Sequence, residues 1–165
     1  ALLAIARACR VERAGYDVTG RGGQKLSDYW ADGMKSFHGM HVHGFPNLFL
    51  HQNAQAALPA NFCHGLAEGA KAIAAVVGHA RRADRPVVEA TQAAEDAWVA
   101  HCGEVAANLV PFFEQCTPGY YNLEGKLTQE AAQGFGYGAG AAAFFALKDR
   151  WLADGQFDGL VFSTH

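Results

Sequence analysis

The chain has 165 residues, the size of one ordinary domain or a large piece of a bigger one. Thirteen Lys and Arg against sixteen Asp and Glu leave a net charge of −3, which excludes both a nucleic-acid footprint and a polyacidic tail. Half the residues are hydrophobic and 18% are charged, which excludes global disorder; the 19 Gly follow no G-X-Y period, which excludes collagen.

Residues 1–14 have helical composition, with Arg7, Arg10 and Arg13 at three-residue intervals. The apolar start lacks a basic region before it, so it makes a poor signal peptide. With no initiator Met, the chain is expected to begin inside a longer parent. Turn signals follow at Gly15, Asp17, Gly20, Gly22 and Gly23. Ser27 is placed to cap a short helical turn over Asp28–Ala31, which Asp32-Gly33 ends. Met40-His41-Val42 and Leu48-Phe49-Leu50 read as two short strands, separated by a turn at Gly44-Phe45-Pro46-Asn47.

After a polar stretch, Asn61 caps a long helix. Phe62, Leu66, Ala70, Ile73, Val77 and Ala80 form its expected buried face. Arg81 and Arg82 suit its C-terminal dipole, and Pro86 forbids continuation. Val87-Val88 is a brief extended piece. Thr91 caps a second helix whose buried stripe is Ala94, Trp98, Val105 and Leu109, with Glu95 and Asp96 near its start. Residues 111–138 read as irregular. A last helix runs from Ala141 to Ala153, with Phe144, Leu147 and Trp151 on one side; Gly155 ends it, and Gly159–Phe162 is a final strand. Helices outweigh strands, and the strands have buried character, which implies a helix-rich α/β unit.

No apolar run approaches the roughly 20 residues of a membrane helix. The four cysteines, Cys9, Cys63, Cys102 and Cys116, lie far apart without C-x-x-C, as expected for reduced thiols in a cytoplasmic protein. His38, His41, His43 and His51 would suit zinc if they converged, but no H-x-x-x-H and no suitably spaced carboxylate accompany them, so no metal site is assigned. Gly138, Gly140 and Ala143 fit G-x-G-x-x-A before a helix, yet Thr128–Gln133 is no buried strand. The run reads as a flexible glycine loop. Gly65 and Gly69 on the long helix imply close packing. Cys116 reads as a packed or incidental thiol ahead of a reactive one. No nucleophile pattern appears, and no catalytic residue is assigned.

Several stretches, taken in order, resemble the C-terminal third of flavin-dependent Baeyer–Villiger monooxygenases. They are Ala31-Asp32-Gly33, His38-Gly39-Met40, Gly44-Phe45-Pro46-Asn47-Leu48-Phe49, Glu95-Asp96-Ala97-Trp98-Val99 and Cys116-Thr117-Pro118-Gly119-Tyr120-Tyr121-Asn122. Phe144-Phe145, Trp151, Asp154-Gly155 and Gly159-Leu160 complete the set.

The resemblance implies a fragment of a fold with two dinucleotide-binding domains. Residues 1–85 would be the end of the FAD-binding domain, with its closing strand and following helix. Residues 86–165 would be the C-terminal helical and loop segment. It implies FAD and NADPH as cofactors, a small-molecule ketone as substrate and an ester or lactone as product. The family's two dinucleotide fingerprints and its active-site arginine have no counterpart in this chain, so the chain alone is expected to be inactive. The cofactor-binding residues implied are Asn61 and Phe62, at the helix start that in relatives faces the flavin. The chain departs from the family in two places: His51-Gln52-Asn53-Ala54-Gln55-Ala56 replaces a Gly-rich run, and Thr117 stands near a cofactor-contacting tryptophan of some relatives. A non-catalytic remnant or binding module of the same fold is the alternative, and a histidine–metal hydrolase a third class. No nucleic-acid or membrane partner is expected; self-association through exposed apolar surface is.

Overall fold

The computed structural model describes residues 16–51, 54–115, 133 and 136–164. The helix expected over residues 1–14 and the Cys116–Asn122 motif lie outside the described residues.

A one-turn helix, α1 (Leu26–Tyr29), follows a 3-10 turn at Arg21–Gly23. It starts one residue before the expected cap. Ser27 does not cap it, because it lies within the helix, two residues past the N-cap position at Lys25; its hydroxyl donates instead to Asp17 Oδ2 at 2.7 Å.

The two strands expected around Met40–Val42 and Leu48–Leu50 form no ladder. One bridge joins Phe37 to His41, and the Leu50 N–H donates to Met40 O at 2.7 Å. Positive φ angles at His38, Gly39, Gly44 and Asn47 curl the backbone every few residues, which leaves no length to pair. The turn at Gly44–Asn47 is present. The apolar character was read correctly even so, since Val42, Leu48 and Leu50 are buried together with Leu26, Trp30 and Phe45 in one core cluster.

The long helix α2 (Phe62–Arg82) has the expected ends, but its buried face is rotated from the expected one. Gly65, Gly69, Ala72, Val76 and Ala80 face inward, while Phe62, Ala70 and Val77 are exposed and Leu66 and Ile73 half-buried. The larger side chains lie on the adjacent stripe. The small stripe wins because it lets α2 lie close to its neighbours, as the Gly65–Gly69 spacing implied.

Strand β1 (Val87–Ala90) pairs antiparallel with β2 (Leu160–Ser163), Val87 opposite Ser163 and Ala90 opposite Leu160. Between them run α3 (Gln92–Ala106), a 3-10 turn at Ala107–Leu109, α4 (Val110–Gln115) and α5 (Ala141–Asp154). The stretch from Pro111 to Gln115, expected to be irregular, is therefore helical; Pro111 sits in the first turn, where its missing N–H is not needed. Thr91 caps α3, accepting from the Ala94 N–H at 3.1 Å, and Gly155 ends α5 at φ 69°.

Gly138 is closely packed, so the loop before α5 is not the slack run its glycines implied. A Cβ there would lie 2.0 Å from Val105 O of α3. A second core cluster centres on Trp98, Tyr137 and Phe144, between α3 and α5. A third holds Val76, Ala80, Val88 and Phe157, between α2 and the ribbon. The architecture is helix-rich α/β, as the sequence implied. Among the described residues no helix is long and apolar enough to cross a membrane.

Candidate functional site

Asn61 and Phe62 stand together at the start of α2. The Asn61 side chain accepts from the His64 N–H at 3.1 Å, so it takes one of the four N–H groups that a helix start leaves without an intrahelical partner. No acidic residue occupies the first turn, so the positive end of the dipole is not neutralised from within the helix. Phe62 is 49% exposed, an apolar ring beside those donors. Leu58, just before the helix, is exposed as well.

The polar loop leading to this helix is anchored by Gln55, whose backbone takes φ 56° and whose side chain is buried. Its amide donates to Met34 O at 2.8 Å and to Gln133 O at 3.2 Å, and its Oε1 accepts from Ser36 Oγ at 2.6 Å. Trp98 Nε1 donates to the Gln55 carbonyl at 3.2 Å. Four hydrogen bonds thus hold a non-glycine residue in the left-handed region, where the resemblance led one to expect glycine.

A second polar group lies inside the fold. His38 and Lys148 line a small cavity, partly open to solvent, together with Met40, Leu50, Ala56 and Phe144. His38 has φ 53° and its ring is wedged against Phe37, Trp98 and Trp151, with centroids 4.0, 4.7 and 5.0 Å away. Burial pushes its pKa down to about 3, helped by the charges of Lys148 and His41. Burial likewise pushes His41 down to about 3, with Lys148 adding to it. Lys148 is only 4% exposed, and burial lowers its amine to about 8 against the opposing pull of Glu68 and Asp149. Its Nζ lies 5.5 Å from the centre of the Phe144 ring. His41 and His43 do not share a face, because the backbone there is not a strand. Among the described residues no three His, Cys, Asp or Glu side chains come together as metal ligands.

Sequence reasoning missed Lys148 and Glu95 as interior groups. Glu95 is fully buried; it accepts from the Tyr29 hydroxyl and from the His43 N–H at 2.9 Å. Glu89 beside it accepts from Arg21 Nε at 2.6 Å and the Gly44 N–H at 2.8 Å. The signal was present: Glu95 lies three residues before Trp98, and Lys148 four after Phe144, each on the stripe assigned to the core. Cys102 is buried, its thiol pushed up to about 12 by burial, whereas Cys63 is exposed in the first turn of α2.

No family model matches the chain. Over 149 residues, 90% of the chain, it is 40% identical to the pentalenolactone D synthase of Streptomyces exfoliatus and spans 26% of that protein. It is 44% identical over 135 residues to a Baeyer-Villiger monooxygenase of Streptomyces coelicolor, covering 81% of the chain and 22% of the relative. It is 36% identical over 146 residues to an FAD-binding monooxygenase of Hypomyces subiculosus, covering 88% and 24%. The fold matches a polycyclic ketone monooxygenase from the fungus Thermothelomyces thermophila with a TM-score of 0.83 at 32% identity, over 94% of the chain and 25% of that structure. The chain spans about a quarter of the length of these relatives, less than the third the resemblance implied.

Proposed function

The chain belongs to the Baeyer–Villiger monooxygenase family, and from that premise we propose that it is the C-terminal portion of an FAD- and NADPH-dependent enzyme that inserts oxygen beside a ketone carbonyl. One atom of O2 enters the ester or lactone, the other leaves as water, and NADPH supplies the two electrons. FAD, when bound, provides the oxygen chemistry. In this reading residues 1–85 end the FAD-binding domain and 86–165 form the C-terminal segment of a cytoplasmic protein. The chain alone turns over no ketone.

The observation that carries the reading is the start of α2. Its free N–H groups suit the electron-rich pyrimidine edge of a flavin, where preorganised donors stabilise charge without rearranging. Asn61 holds the first turn in shape and Phe62 shields the donors from water. The fit rests on the uncompensated dipole and the exposed ring described above. The half-buried and exposed apolar residues on the outer side of α2 offer a surface for the remainder of the parent or for a second copy.

Asn61→Leu in the full-length parent tests the site. A lower flavin reduction potential and weaker FAD binding are expected. If both are unchanged and only thermal stability falls, Asn61 is a helix cap and nothing more. Ketone-dependent NADPH oxidation by the 165-residue chain with added FAD would overturn the inactivity of the fragment.

A further inference from the structure

We propose that Gln55 is a positioning residue for the oxygenation reaction: its side chain sets where the start of α2 stands, without touching the flavin itself. The proposal rests on the flavin reading of that helix start and assigns a further residue to it.

A glutamine side chain carries two N–H donors and an acceptor oxygen. In Gln55 the amide nitrogen donates to Met34 O and Gln133 O, and the oxygen accepts from Ser36 Oγ, with the residue only 1% exposed. Met34 and Ser36 precede α2 in sequence, Gln133 follows it, and Trp98 of α3 holds the Gln55 carbonyl. One residue thus cross-links the loop to segments on both sides of the long helix. Its φ of 56° would suit glycine, so the conformation alone does not call for glutamine; the cross-link does.

Beyond Gln55 the loop has little else to fix it. The Ala56 carbonyl accepts from the Tyr137 N–H at 2.8 Å, and Ala57 is buried. From Leu58 to Ala60 no hydrogen bond to another segment occurs among the described residues. Pro59 stiffens this link by fixing one of its backbone angles. The next bond is the cap itself, Asn61 to the His64 N–H. The first turn of α2 is therefore placed from one side by Gln55 and from the other by the buried Gly65 and Gly69. Sideways movement of the loop is blocked as well. A Cβ at Gly39 would lie 2.6 Å from the Ala56 Cβ, and one at Gly136 3.3 Å from the Leu58 Cβ. Donors that stabilise developing charge work only when held in place, and this cross-link holds the segment that carries them.

Three variants of the full-length parent test this. Gln55→Gly keeps the backbone conformation and removes the cross-link. Ser36→Ala removes one of its bonds and leaves the loop itself unchanged. Val88→Ala, in the third core cluster, lowers stability away from the loop. The readouts are hydrogen exchange of the His64 amide in the apoprotein, and flavin reduction potential and FAD Kd in the holoenzyme. Gln55→Gly is expected to speed the exchange, lower the potential and weaken FAD binding about fivefold, the worth of roughly one hydrogen bond. Ser36→Ala should give smaller changes of the same sign, and Val88→Ala a lower Tm alone. If Gln55→Gly leaves potential and Kd at wild-type values while Asn61→Leu changes them, the proposal is overturned and the flavin reading stands. If neither variant changes them, the flavin reading falls and takes the proposal with it. Unchanged exchange at His64 in Gln55→Gly, or an equal shift of potential in Val88→Ala, also overturns it. Should Gln55→Gly fail to fold, Ser36→Ala decides on the same readouts.

Discussion

Glu95 shows how one residue can hold two segments. The Tyr29 hydroxyl and the His43 N–H both depend on its carboxyl group. Glu95→Ala strands these donors, at about 1–3 kcal/mol for each that stays buried, so a loss of about 2–3 kcal/mol in urea unfolding is expected. The pH dependence follows from which groups resist charging. His41 has its pKa lowered from 6.5 to about 3 by burial, so the unfolded chain takes up a proton that the folded chain refuses. The neutral histidine's contribution is complete above pH 6.5 and is lost as pH falls toward 3, at about 1.4 kcal/mol per pH unit where only the unfolded form is protonated. Glu95 has the opposite sign, because burial raises its pKa: its contribution weakens as pH rises above its ordinary value. His41→Phe is therefore expected to flatten the fall of stability between pH 6 and 4 relative to wild type. Equal slopes for the two proteins would show that His41 titrates alike in both states.

At the scale of elements, caps and breakers were legible because each acts within four residues of chain. Asn61 and Thr91 cap their helices, Gly155 ends α5, and β2 lies where the Gly159–Phe162 run placed it. Faces were less legible, because they depend on what lies opposite. On α2 the bulky stripe looked like the core, yet the glycine stripe was buried. Leu48–Leu50 had the hydrophobicity of a strand, but pairing also needs a straight partner, and the flanking left-handed residues remove it. The candidate site divides in the same way. The helix start at Asn61 could be read from local pattern, whereas the meeting of His38 with Lys148 required the fold.

Two glycines give opposite expectations. Gly138→Ala pushes a methyl group into the backbone of α3 and is expected to lower stability by several kcal/mol, since overpacking against backbone has no rotamer escape. Gly103→Ala, in a helix with nothing within 4 Å, is expected to raise it by about 0.5–1 kcal/mol. Urea midpoints of the two variants check both signs.

For the whole molecule, three core clusters hold together segments that lie far apart in sequence. Arg21 reaches Glu89, and His43 reaches Glu95, so residues before and after α2 form one connected structure. The outer side of α2 is left with Phe62 and Val77 exposed. The isolated chain is expected to associate through that side in sedimentation experiments, with Phe62→Ser and Val77→Ser together reducing it. A compact monomer at every concentration would count against it.

The ribbon of β1 and β2 also dictates an order of assembly. During synthesis β1 leaves the ribosome long before β2 exists, and a lone strand does not persist in water. Asn47, made earlier, holds the other edge of β1. Its side-chain oxygen accepts from the Val88 N–H at 3.0 Å, and its own N–H donates to Val88 O at 2.8 Å. One residue thus imitates a neighbouring strand on the edge of β1 that β2 does not use, and these bonds persist beside the finished ribbon. Closure of the ribbon, which joins distant parts of the chain, becomes a late and slow step, and β1 waits for it already docked on the nascent fold.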